Sequence, residues 1–137
     1  MITAACSRTR VRHPATKGED VEDPTRGTIP LRRIAALIGL VEEHADAYLS
    51  HHGDVWPEVL DALRRANVTN SSIYRHGDLL VSYLEYRGTD YEADMACLAE
   101  DPATQRWWEI MMPMQRTLRT TPEDPWWTEL EEVFHLE

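Results

Sequence analysis

Asn70-Ser71-Ser72-Ile73-Tyr74-Arg75, then His76-Gly77-Asp78, then Leu79-Leu80-Val81-Ser82-Tyr83-Leu84-Glu85-Tyr86 is the stretch that decides the fold. Two runs able to extend are separated by a short connection holding a glycine, the residue that accepts a positive φ without steric cost. That pattern predicts a β-hairpin. In the second arm Leu80, Leu84 and Tyr86 alternate with Leu79, Val81 and Tyr83. Both faces are therefore apolar, and this strand is expected to be covered on both sides.

Upstream of the hairpin, residues 32–40 contain Ile34, Leu37, Ile38 and Leu40 and fit a buried first strand, although the alanines and the lack of strict alternation leave a helix open. Residues 41–51 fit a helix better, because Glu42, Glu43 and Asp46 place acid where the helix dipole favours it. Gly53 and Asp54 interrupt it. Pro57 suits the first turn of a second helical piece, with Val59, Leu60 and Leu63 as its apolar side.

Downstream, residues 91–100 read as a helix. Asp101-Pro102 is a cap followed by a first-turn proline, and the next helix runs through Gln105, Trp107, Trp108, Ile110 and Met111 until Pro113 ends or bends it. After a connection rich in proline and threonine, a last strand is expected over residues 130–136, with Val133, Phe134 and Leu136 as its apolar members. The order strand, helix, strand, strand, helix, strand gives an α+β fold, a split βαβ unit of ferredoxin type (βαββαβ). Helices on one face leave the other face of the sheet in need of cover. A second copy in a symmetric homodimer would supply it.

A chain of 137 residues is enough for one domain with one core. The expected division is a disordered tail over residues 1–30 and a single domain over residues 31–137. The tail carries Arg8, Arg10, Arg12 and Lys17 before Glu19, Asp20, Glu22 and Asp23, with no helical or strand period. The formal charge of −10 thus belongs almost wholly to the folded part. Such acidity repels phosphate backbones, so no nucleic acid partner is expected and an uncharged small molecule fits better. Cys6 and Cys97 form neither a CxxC pair nor a zinc spacing, and no run is long and apolar enough for a signal peptide or a membrane span. A cytoplasmic protein without membrane contact is the expectation.

The chemistry-bearing residues cluster in Tyr48-Leu49-Ser50-His51-His52-Gly53-Asp54-Val55-Trp56-Pro57-Glu58. Tyr48 and His52 are four apart, so on a helix they share a face and can reach one ligand. His52 ends that helix, where a histidine commonly does no more than meet the last carbonyls. Trp107 and Trp108 are adjacent and hence about 100° apart, so that one can enter the core while the other lines a pocket. Aromatic pairs on helices are usually core. Trp126 and Trp127 form a second pair, suited to an interface or to loop packing.

Taken jointly, Tyr48, His52 and Trp56-Pro57-Glu58, the distant Gln105-Arg106-Trp107-Trp108 and the terminal Glu132-Val133-Phe134-His135-Leu136 resemble the L-rhamnose mutarotase family over residues 31–136. The resemblance implies a dimeric α/β barrel and interconversion of the α and β anomers of a sugar without a metal or other cofactor. It implies His52 as the general acid/base and Tyr48, Trp107 and Trp108 as the substrate-binding residues. It also turns the balance for His52 away from a mere helix-end histidine. One departure stands out: where the family usually has a tyrosine that contacts substrate, this chain has Ser71. That loss makes the sugar less defined than the reaction and motivates a second expectation, a non-catalytic sugar-binding or regulatory module. A cofactor-independent monooxygenase is a third, since folds of this kind host many activities.

Overall fold

The computed structural model describes residues 30–137, so the tail expected over the first thirty residues lies, apart from Pro30, outside the described residues. Strand β1 (Arg32–Leu40) is followed by a 3-10 turn over Glu42–His44 and by helices α1 (Ala45–Gly53) and α2 (Pro57–Arg65). The hairpin consists of β2 (Val68–His76) and β3 (Leu79–Tyr86). Helices α3 (Tyr91–Glu100) and α4 (Pro102–Met111) come next, then β4 (Gln115–Arg116) and β5 (Thr128–Glu129). Residues 32–40 are thus strand, which settles the helix-or-strand question left open by their alanines.

The sheet order is β2-β3-β1-β4, with β5 also paired to β1, and every pairing is antiparallel. The hairpin turns where the sequence suggests, with Gly77 at φ 60°. Asn67 (φ 61°) and Asn70 (φ 43°) also take the left-handed region, which asparagine enters more readily than most residues. Asn70 sits in the irregularity between Thr69 and Ser72 where the β2–β3 register shifts.

One expectation is corrected. No strand covers residues 130–136. The edge of β1 is taken instead by β4 at Gly39 and Leu40 and by β5 at Ala36 and Leu37, and only Leu130 continues that line, donating its N–H to the Ala35 carbonyl at 2.8 Å. Beyond it the Glu132 carboxylate accepts from Nε and Nη2 of Arg33 (3.0 and 2.9 Å), and Val133 (90 % exposed), Phe134 and Leu136 face solvent.

Alternation along β1 buries Ile34, Ala36, Ile38 and Leu40 against the helices. With Ala45, Tyr48, Val59, Leu80, Ala103, Trp107 and Met111, the last two of these build the main core cluster; Ala62, Ala66, Val68 and Leu98 form a second. Both α3 and α4 begin at an aspartate whose side chain accepts a backbone N–H, Asp90 from Ala93 (3.1 Å) and Asp101 from Thr104 (2.9 Å), caps of about 1 kcal/mol each.

Where β3 ends, the buried Tyr86 hydroxyl donates to Asp94 (2.5 Å) and accepts the Asp90 N–H (3.0 Å), while the Asn67 amide donates to the same carboxylate (2.8 Å). This ties the hairpin to α3. On the sheet face turned away from the helices, the register aligns Tyr74, Val81, Leu37 and Thr128 in one row, of which Tyr74 is 64 % exposed.

Candidate active site

Helix α1 sets Tyr48 and His52 one turn apart, and their rings stack at 4.2 Å between centroids and 27° between planes. Tyr48 is driven inward as a member of the main core and is only 2 % exposed, whereas His52 is half-buried above it. From α4, Trp107 enters the same core and meets His52 edge-on at 5.4 Å; Trp56, just before α2, meets Trp107 edge-on at 5.2 Å. His51 also touches Trp107, at 6.1 Å. Two rings, Tyr48 from the same helix and Trp107 from α4, thus flank the imidazole, and Trp56 backs Trp107.

His52 Nδ1 lies 3.0 Å from the backbone carbonyl of Tyr48. A carbonyl can only accept, so Nδ1 carries the hydrogen and, in the neutral ring, Nε2 carries the lone pair. Among the described residues no buried side-chain nitrogen or oxygen lacks a partner and none of them bonds His52 Nε2, so Nε2 touches solvent. Burial pulls the His52 pKa below the ordinary histidine value; the Tyr48 carbonyl opposes this, and His51 adds a smaller push downward. The ring is therefore neutral at pH 7, with its basic nitrogen outward.

The Tyr48 phenol is pushed the other way, upward, by burial, and a hydrogen bond from Gln115 opposes that. Gln115 Nε2 donates to the Tyr48 oxygen at 3.2 Å, and Gln115 Oε1 accepts from the indole N–H of Trp126 at 2.8 Å. The phenol is thus protonated at neutral pH. A neutral base and a neutral hydroxyl lie side by side, a pairing suited to moving protons on an uncharged molecule.

The structure brings together Tyr48, His52 and Trp107 of the residues expected from the sequence. Trp108, one position on, turns away from that core and is 38 % exposed. Ser71 is an exposed residue of β2 beside the register shift. Trp56, Gln115 and Trp126 were not singled out for chemistry: Trp56 had a signal in its proline-glutamate context, but Gln115 had none. A cavity of about 280 Å³ lies elsewhere, lined by Leu40, Glu42, Arg75, Gly77 and Asp78. Among the described residues no group of three or more His, Cys, Asp or Glu side chains is placed to hold a metal, and no helix is long and apolar enough to cross a membrane.

Comparison with known proteins points the same way. An L-rhamnose mutarotase from Burkholderia cenocepacia is 36 % identical over 110 residues, which cover 78 % of this chain and all of that protein. One from Oceanobacillus iheyensis is 28 % identical over 109 residues with the same shares. An L-fucose mutarotase from Xanthomonas campestris is 35 % identical over 85 residues, 61 % of this chain and 67 % of its own. The crystal structure of an L-rhamnose mutarotase from Formosa agariphila superimposes with a TM-score of 0.60 at 26 % identity, covering 77 % of this chain and 99 % of that one. The family model described as L-rhamnose mutarotase matches residues 33–136, and the chain belongs to that family.

Proposed function

We propose that the chain is a mutarotase that interconverts the α and β anomers of L-rhamnose or a related 6-deoxyhexose, with His52 as the proton carrier and Tyr48, Trp107 and Trp108 holding the sugar. His52 Nε2 takes the proton of the anomeric O1 hydroxyl. As the bond between C1 and the ring oxygen breaks, the imidazolium returns a proton to that oxygen, leaving the open-chain aldehyde. Rotation about C1–C2 presents the other carbonyl face, and the same transfers in reverse close the ring with C1 inverted. Protons and bonds balance over the cycle, so the reaction calls for no cofactor. Proton transfer by a placed side chain of suitable pKa contributes about 10² to 10⁴ in rate.

The observation that carries the reading is the neutral imidazole, its Nδ1 hydrogen held by the Tyr48 carbonyl and its Nε2 open to solvent. Tryptophan faces suit the apolar C–H face and methyl group of a deoxysugar, while their N–H groups can donate to hydroxyls. Trp107 stands against His52, and the half-exposed Trp108 is proposed to meet the sugar from its rim. The names of the relatives support L-rhamnose first and L-fucose second.

Residues 31–137 form one domain of the ferredoxin-like type, consistent with the strand order. The row of Leu37, Val81 and Tyr74 is covered by a second copy, giving a dimeric α/β barrel in the cytoplasm.

Magnetisation-transfer NMR on L-rhamnose and L-fucose tests the activity: faster anomeric exchange with protein is expected for at least one, and no acceleration of either would refute it. The exposed Ser71 in place of a substrate-contacting tyrosine favours a second reading, a non-catalytic sugar-binding or regulatory module. Such a module would bind sugar yet leave the exchange rate untouched, before and after His52→Ala.

A further inference from the structure

We infer that Gln115, oriented by Trp126, is a positioning residue that fixes the Tyr48 hydroxyl as a hydrogen-bond donor toward the sugar. This rests on Tyr48 being a substrate-binding residue, as proposed above. The hydrogen-bond directions follow from groups that can only donate or only accept. An indole N–H can only donate, so the Gln115 atom 2.8 Å from Trp126 Nε1 is the carbonyl oxygen. The other end of the amide is then NH₂, which can only donate, and the Tyr48 oxygen 3.2 Å away must accept. The phenolic hydrogen is left over. Among the described residues it has no acceptor, so a ligand hydroxyl is its natural partner.

Each link of this relay is itself held. The backbone of Gln115 pairs with Leu40 where β4 meets β1. Trp126 is fixed by the Thr117 hydroxyl, which donates to its carbonyl at 2.9 Å, and by the Arg119 guanidinium 5.2 Å above its ring. The loop before it closes on Asp124, whose carboxylate accepts from the N–H groups of Thr120 and Thr121 and from the Thr120 hydroxyl. A glutamine that only filled space would need no such directional support. The pKa of Tyr48 carries the same signature, since the Gln115 donor draws it down against the upward push of burial.

Two readouts test the inference on the full-length chain. In anomeric exchange, Gln115→Met is expected to lower kcat/KM about tenfold, the effect of one misdirected hydrogen bond. In a Tyr48→Phe background the same change is expected to add less than about twofold, because its route of action is gone. An equal loss in both backgrounds would mean that Gln115 acts on the fold and would overturn the inference. Independently of activity, the phenolate absorbance of Tyr48, taken as the difference from Tyr48→Phe, should titrate at higher pH in Gln115→Met than in the wild type. An unchanged titration would overturn it as well. Should the protein accelerate no sugar, the mutarotase reading fails alone and the titration still decides which way the phenol hydrogen points. If Gln115→Met does not fold, Trp126→Phe keeps a ring under Arg119 while removing the N–H, and carries both readouts with smaller shifts of the same sign.

Discussion

Tyr86 and Tyr48 are the same residue type, equally hidden at 3 % and 2 % exposure, near opposite ends of β1: Tyr86 pairs with Arg32, while Tyr48 reaches Gln115 beside Leu40. Roughly 25 Å of strand separates them. Tyr86 donates to Asp94 and accepts from the Asp90 N–H, so its hydroxyl is used in both directions. Tyr48 accepts from Gln115, and among the described residues its hydrogen is unclaimed, next to an imidazole whose Nε2 is also unclaimed. A closed network fixes shape. A network with one donor and one acceptor left open, both held by fully directed partners, is prepared to receive something.

Breaking each end should therefore give opposite phenotypes. The largest effect is expected from His52→Ala, a loss of about 10² to 10⁴ in anomeric exchange with sugar binding retained, read by magnetisation transfer beside calorimetric titration. At the other end, Asp94→Ala leaves the buried Tyr86 hydroxyl and Asn67 amide without their acceptor. It should cost about 3 kcal/mol in denaturant unfolding, with exchange per folded molecule unchanged. Tyr48→Phe sharpens the contrast: about tenfold in exchange, with a stability change near 1 kcal/mol or less.

The pH dependence follows from His52. Its pKa is lowered by burial, so the neutral base persists below the ordinary histidine value of 6.5, and exchange should stay level through neutrality and fall only beneath it. The stability contribution has the same sign. The unfolded chain binds the proton first, so stability is complete above the unfolded histidine pKa and declines as pH falls through the folded one. Stopped-flow exchange and thermal melts across that window check both. The smallest effect is expected at Trp108→Ala, where the half-exposed indole should change KM severalfold and the melting temperature little.

The fold was largely legible because its signals are local. The glycine of the hairpin, the apolar alternation of β3 and the Asp101-Pro102 cap each act within a few residues and predicted elements that form as expected. The last strand was not legible, because β4 and β5 are two residues each and exist only where β1 offers a free edge, a fact of tertiary geometry. Val133, Phe134 and Leu136 carry the composition of a strand yet lie outside the ladder.

The candidate site divides in the same way. Tyr48 and His52 meet because the helical repeat sets residues four apart on one face, and that spacing can be read from the chain. Gln115 lies 67 residues from Tyr48 in the sequence, and no pattern announces a contact of that span. Trp126 was visible as one of an aromatic pair, but its direction, with the N–H toward Gln115, comes from the loop that Asp124 closes.

The central claim is that His52 rests as a neutral base with its reactive nitrogen facing outward. Long-range proton–nitrogen NMR at pH 7, with the His52 signals identified by their loss in His52→Ala, tests this directly. A hydrogen on Nδ1 and a bare Nε2 is the expected result; a hydrogen on Nε2, or on both nitrogens, would contradict it.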